Sequence, residues 1–303
     1  MGLGVFILEL VQPLMEMIGK IMPGRIFPYF FQWENFQMSL LAALMVTIVA
    51  GLLGVFLIIQ NLSLIGDGLA HVSFGGIAVA MVLGATSPLW YALLFSVIAA
   101  ILIHELQARQ ILAGDASIAI FLTGMLALGL VVLKVGGQAL TTDIEGYLFG
   151  SLLLMDRESL DLVATLCVLS LLIMAAIGPS LLACTVDPMA ARVQGLPVRG
   201  IGLLFSIITA AAVVSMVQVI GALLVTALLV TPAATAQQVG KSFRSCLLWT
   251  QFFGFVSVFG GIYLSAEMGG GSGAMIALLA AVIFGVVTIT KSTFNLISNG
   301  NEN

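Results

Sequence analysis

The chain has 303 residues, 61% of them hydrophobic and 8% charged, and a formal net charge of −4. A soluble domain carries roughly 25% charged residues, so this chain lacks the polar surface to fold in water. It also carries no basic stripe of the kind that binds nucleic acid.

A mean hydropathy of +1.20 instead fits an all-α polytopic membrane protein, a bundle of 8–9 transmembrane helices. Residues 1–34 read as an amphipathic, interfacial N-terminal segment. The start has no basic n-region of a cleavable signal peptide, and Glu9, Glu16 and Lys20 interrupt its apolar residues. A first spanning helix is the other reading of this stretch.

Residues 35–292 hold the apolar windows of about 20 residues that a spanning helix needs. They fall near 38–59, 67–86, 88–106, 116–134, 159–179, 200–217, 219–236, 246–265 and 273–290. Thr86-Ser87-Pro88, Ala113-Gly114-Asp115 and Gly269 to Gly273 punctuate them. The break near Val217-Gln218 reads as a span boundary, a kink or an interfacial turn, so eight and nine spans both fit. A polar tail occupies 293–303. Gly51, Gly54, Gly75, Gly76, Gly260 and Gly261 are candidates for close helix approach, because apolar burial does not drive association in lipid. Cys167, Cys184 and Cys246 show no CxxC spacing and read as small buried hydrophobes.

Lys and Arg in short loops set orientation. With the 180–199 loop cytoplasmic, Arg109, Arg192, Arg199, Lys241, Arg244 and Lys291 lie inside, and Lys20, Arg25, Lys134 and Arg157 outside. The C-terminus is then cytoplasmic. The outer 135–161 segment carries Asp143, Glu145, Asp156, Glu158 and Asp161, an acidic mouth favouring cations or an ordinary solvated loop.

Ionisable residues inside a span are costly and point to function. Asp67 and His71 are four apart and share a helix face. A carboxylate oxygen and a neutral imidazole nitrogen there suit Mn²⁺, Fe²⁺ or Zn²⁺ rather than Cu⁺. Two ligands are too few for tight binding, so symmetry or another chain would have to complete the set. A cap by Asp67 with a hydrogen-bonded His71 and a proton relay are competing readings. His104 and Glu105 are adjacent and do not share a face. Thr226, Thr231, Pro232 and Thr235 sit in an apolar stretch where Pro232 removes a backbone donor; they read as a gate or as a kink satisfied by threonine hydroxyls. The polar stretch Asp187–Arg199, with Pro188, Ala191, Gly195 and Pro197, reads as a short coupling helix or a plain connector. No GxxxxGK[ST] phosphate loop is present, so the chain is not itself an ATPase. Leu64 stands where an intramembrane aspartyl protease has the first glycine of its GxGD motif, which argues against that enzyme.

The stretch Leu62–Ala78, containing Gly66-Asp67-Gly68 and His71, closely resembles the signature of the permease family of Mn/Zn/Fe ABC importers. Gly146–Ser151 is similar to that family's YLFG segment, and Gly221–Ala236 to its GALLVxALLxxPAATA segment. Asp187-Pro188 through Ala191 and Gly195 resembles its ATPase-docking loop. The similarity spans about residues 40–290. It implies a type II ABC importer-like fold, a homodimer, a cytoplasmic ABC ATPase subunit that binds ATP, and an extracytoplasmic metal-binding protein. No permanently bound cofactor is expected; Mn²⁺, Zn²⁺ or Fe²⁺ is cargo, held by Asp67 and His71 of both copies at the dimer axis. A vitamin B12 or siderophore-type ABC permease and an ion-coupled secondary metal transporter are the alternatives.

Overall fold

A computed structural model describes residues 2–112, 114–137, 147 and 155–300, the side chains of Leu223 and 294–300 excepted. Asp143, Glu145 and all of Gly146–Ser151 but Tyr147 lie outside the described residues. The helices are α1 (Leu3–Gly19), α2 (Glu34–Ile59), α3 (Ile65–Val82), α4 (Pro88–Ala108), α5 (Gly114–Val135) and α6 (Arg157–Val186). They continue with α7 (Pro188–Val193), α8 (Val198–Ile220), α9 (Val225–Leu229), α10 (Thr231–Val239), α11 (Phe243–Met268) and α12 (Ser272–Gly300). Among the described residues, eight are long and apolar enough to cross a membrane: α2 to α6, α8, α11 and residues 272–293 of α12.

Helix ends follow local chemistry. α3 stops at Val82, short of the expected 86, because Gly84 turns left-handed (φ 68°). Its N–H reaches the Met81 carbonyl while that of Ala85 reaches Ala80, a Schellman closure that uses up the last carbonyls. α6 runs seven residues past its expected end at 179, through Gly178-Pro179 to Val186. In an apolar environment, ending the helix early would leave more backbone groups unpaired than Pro179 does.

The expected ninth span, 219–236, is not a continuous helix. α8 continues through Val217-Gln218 to Ile220, and the break comes at Gly221, whose φ of 85° suits glycine. A short 3-10 turn (Ala222–Leu224), α9 and α10 follow. The segment nevertheless crosses the bundle. Phe56, near the end of α2, stacks edge-on with Phe205 near the start of α8 and with Phe243, the first residue of α11. α8 and α11 therefore start at the same end, and the chain between them must return. Eight continuous helices and one broken crossing reconcile both counts.

Polar contacts tie each end. At one, Arg157 pairs with Glu34, Gln218 Nε2 donates to Ser159 Oγ at 3.3 Å, and Glu267 accepts from the N–H groups of Arg25, Ile26 and Phe27 at 2.8–3.1 Å. At the other, Gln60 donates to Thr185 at 3.0 Å, Gln238 to Thr288 at 2.7 Å, and Lys291 to the Gln238 carbonyl at 2.6 Å. Arg109, Arg192, Arg199, Lys241, Arg244 and Lys291 all belong to this second, cation-rich end.

Between the ends, glycines set the packing. A side chain at Gly76 would stand 2.7 Å from the Tyr91 carbonyl oxygen of α4, one at Gly75 2.9 Å from that of Met125 in α5, and one at Gly261 2.5 Å from Ile276 Cα of α12. α1 lies across the first end: Gly4 abuts the Leu160 backbone, Gly19 abuts Phe31, and the Val5 N–H donates to Asp161 at 2.8 Å. At 100° per residue its side chains fall into three sectors. Leu8, Met15 and the glycines are buried; Leu3, Phe6, Leu10, Leu14 and Met17 are exposed; Glu9, Gln12 and Glu16 form the polar third.

Candidate functional site

α3 carries Asp67 and His71 in its first two turns. His71 is buried, with 7% of its surface exposed, while the Asp67 side chain keeps 30%. His71 Nδ1 stands 3.0 Å from the Asp67 backbone carbonyl. A carbonyl oxygen only accepts, so Nδ1 carries the proton and Nε2 is the nitrogen left for another partner. This is the arrangement in which a backbone carbonyl fixes the tautomer of a metal-ligating histidine. Asp67 Oδ1 lies 3.6 Å from the same nitrogen, beyond a hydrogen bond. Asp67 is not the helix cap either, since Leu64 occupies that position without a side-chain bond. Its carboxylate thus remains available as a ligand.

The pair sits inside the bundle, towards its cation-rich end, where Gly68 abuts Ile118, the fifth residue of α5. Ser96, ninth of the 21 residues of α4, donates to the carbonyl of Leu69, which lies between Asp67 and His71. Among the described residues, no group of three or more His, Cys, Asp or Glu side chains could hold a metal. Two donors fall short of the four that zinc usually takes.

α3 also touches the broken crossing. A side chain at Gly66 would meet Leu229 Cδ2 at 2.7 Å, and Gly54 of α2 faces the Leu229 carbonyl oxygen. Thr226 and Thr231 flank the interruption. The Val230 N–H closes α9 on the Thr226 carbonyl at 2.8 Å, and that of Ala234 opens α10 on Val230 at 2.9 Å. Pro232 stands at the start of α10, where a missing N–H is least harmful. Thr235 Oγ1 donates to the Thr231 carbonyl at 2.8 Å. The threonine set thus brackets the break, while the Thr235 hydroxyl bonds back within α10.

At the cation-rich end, the Asp187 side chain accepts from the N–H groups of Met189 and Ala190 at 3.0 and 2.9 Å, capping α7. Pro188 opens that helix, Ala191 is its buried residue, and Gly195 (φ 82°) turns the chain towards α8. Glu105 of α4 pairs with both Arg109 and Arg199, fastening α8 just after α7. His104, its neighbour, meets the same stretch of α8 at Gly202. This three-residue ionic link went unread in the sequence; the i,i+4 spacing of Glu105 and Arg109 was its only local signal. A polar cavity of about 640 Å³ opens here, lined among others by Gln60, His104, Gln107, Thr185 and Arg192.

The family described as the ABC 3 transport family matches residues 32–291. The manganese transport system membrane protein MntC of Halalkalibacterium halodurans is 31% identical over 258 residues, 85% of this chain and 88% of that protein. The high-affinity zinc uptake system membrane protein ZnuB of Haemophilus influenzae is 27% identical over 81% of this chain and 94% of its own length. PsaBC from Streptococcus pneumoniae, solved in complex with Fab, superposes with a TM-score of 0.76 at 29% identity, covering 86% of this chain and 94% of that one. An inward-facing metal-chelate type ABC transporter gives a TM-score of 0.73 at 19% identity, over 94% of this chain and 98% of that one, a likeness of fold.

Proposed function

The chain belongs to the ABC 3 transport family, and on that premise we propose that it conducts a divalent cation, Mn²⁺ or Zn²⁺, through a homodimer powered by a separate ATPase. It is a multi-pass permease of the cell membrane. The observation that carries the proposal is the Asp67–His71 pair inside the bundle, with Nδ1–H committed to a backbone carbonyl and Nε2 and the carboxylate left for a cation. A second copy facing the first doubles the two donors to four. Such a site holds its ion weakly, as conduction requires, since a deep well would trap it.

The roles follow from placement. An extracytoplasmic metal-binding protein delivers the ion at the end carrying Glu34 and Arg157. The broken crossing, with Thr226, Thr231, Pro232 and Thr235 beside α3, is the element that moves, because interrupted helices shift without unpairing a long ladder. α7, capped by Asp187, docks on the ATPase with Pro188, Ala191 and Gly195 shaping the contact, and the cavity at Gln107 and Arg192 is the exit. α1, with its three sectors, lies in the outer interface, buried face on the bundle, apolar face in lipid and polar face in water. Relatives named for manganese and zinc do not favour the vitamin B12, siderophore or secondary-transporter alternatives.

The test is uptake of radioactive Mn²⁺ and Zn²⁺ in cells co-expressing the chain with its ATPase and binding protein. Asp67→Asn and His71→Ala at matched membrane levels are expected to abolish it. Uptake unchanged in both variants would refute the site.

A further inference from the structure

A cleft of about 600 Å³ separates α2, α6 and the start of α11 in the cation-rich half of the bundle. Its wall is apolar, with Leu52, Phe56, Met174, Leu182 and Leu247, and Arg244 is the single charged residue on its lining. From Leu171 to Leu182 it follows α6 for eleven residues, about 16 Å at 1.5 Å each. One leaflet of hydrocarbon is about 15 Å deep, half of a core of about 30 Å. Gly178 makes the notch: a side chain there would meet no atom within 4 Å. Pro179 next to it withholds the N–H that the Ala175 carbonyl would otherwise accept, and Ala175 also lines the cleft.

A second hollow, of about 380 Å³, adjoins it, shares Leu182 and Phe243, and brings in Lys241 and Ser242. Among the described residues no carboxylate lies within 4 Å of Lys241 or Arg244, since the ion pairs there are those of Glu34, Asp67 and Glu105. Both cations flank Ser242, which caps the 26-residue helix α11, so the positive end of that helix adds to the same field. An apolar slot one leaflet deep ends in two uncompensated cations at the membrane end richest in Lys and Arg.

We propose that this cleft binds an anionic phospholipid of the inner leaflet, one acyl chain lying along Phe56, Met174, Gly178 and Leu247 and the phosphate meeting Arg244 and Lys241. Basic pockets between membrane helices on the cytoplasmic side recognise anionic headgroups in this way. The inference does not depend on the identity of the cargo. The charge requirement excludes a purely zwitterionic annular lipid, and the depth of the apolar wall excludes a free phosphate.

Native mass spectrometry of the purified chain, exchanged into detergent with phosphatidylglycerol or phosphatidylcholine, tests it. Wild type is expected to retain phosphatidylglycerol adducts preferentially. Retention should fall roughly fivefold for each of Arg244→Gln and Lys241→Gln. Gly178→Leu, which fills the notch and leaves both cations in place, should also lose the adduct. Equal retention of the two lipids, or adducts unchanged in all three variants, would overturn the proposal. Displacement of the lipid by inorganic phosphate would overturn the acyl-chain part. A change of oligomeric state in Gly178→Leu without lipid loss would assign the cleft to a protein partner instead.

Discussion

Replacing Gly76 by alanine tests how tightly the site-bearing helix is held. The added Cβ would stand 2.7 Å from the carbonyl oxygen and 3.0 Å from the carbonyl carbon of Tyr91. Both are backbone atoms of α4, so no rotamer relieves the clash. A relaxed carbon–oxygen contact is about 3.3 Å, so α3 and α4 must part by about 0.6 Å. Gly75, the next residue of α3, meets α5 almost as closely, a Cβ there standing 2.9 Å from the Met125 carbonyl oxygen, so α3 cannot relieve the clash by moving towards α5. Overpacking of this kind costs about 1–3 kcal/mol. Gly124 of α5 is the control: a Cβ there meets nothing within 4 Å, and alanine is the better helix former by up to about 1 kcal/mol. Gly76→Ala should therefore lower, and Gly124→Ala hold or raise, the temperature at which half the protein in detergent survives as a monodisperse peak. The separation also displaces Asp67 and His71, and misplacement approaching 1 Å can cost about 100-fold in a geometry-dependent step. Metal uptake in Gly76→Ala is accordingly expected to fall more than membrane abundance does. Equal thermal survival of the two alanine variants would refute the argument that backbone contact fixes α3.

Asp187→Ala removes the cap of the six-residue helix α7 and should cost about 0.5–2 kcal/mol locally, while Asp187→Ser retains most of it. The check is co-purification with the ATPase, reduced for alanine and largely kept for serine. Glu267→Gln keeps the shape but loses the charge that holds the N–H groups of Arg25, Ile26 and Phe27; amide exchange should accelerate over 25–31 and stay unchanged in α3. Gly84→Ala meets no atom within 4 Å yet must adopt φ 68°, so it should destabilise by about 1–2 kcal/mol through conformation alone. Gly84→Asn should recover part of that loss in the same thermal assay.

The membrane bundle was legible because lipid leaves few solutions: each apolar run of spanning length must close its own hydrogen bonds as a helix. The expected windows lie within a few residues of α2 to α6, α8, α11 and α12 except at chemistry a window cannot weigh. Gly84 ends α3 early, and Pro179 fails to end α6. The window 219–236 takes in Pro232, which reads as a kink or gate, but mean hydropathy does not register Gly221, whose φ of 85° ends α8. Only the shared end of Phe205 and Phe243 at Phe56 shows that this stretch must both break and return.

Composition, helical period and the i,i+4 spacing of Asp67 and His71 are local quantities, so the sequence by itself determined the bundle and the pair of donors. The tertiary structure decided how deep the pair sits and which glycines face a carbonyl across a helix pair. It also decided that Glu105 of α4 meets Arg199 of α8, 94 residues away, and that Lys241 and Arg244 stand at the mouth of an apolar cleft. Each of these depends on which helices become neighbours, a property no single segment of the chain contains.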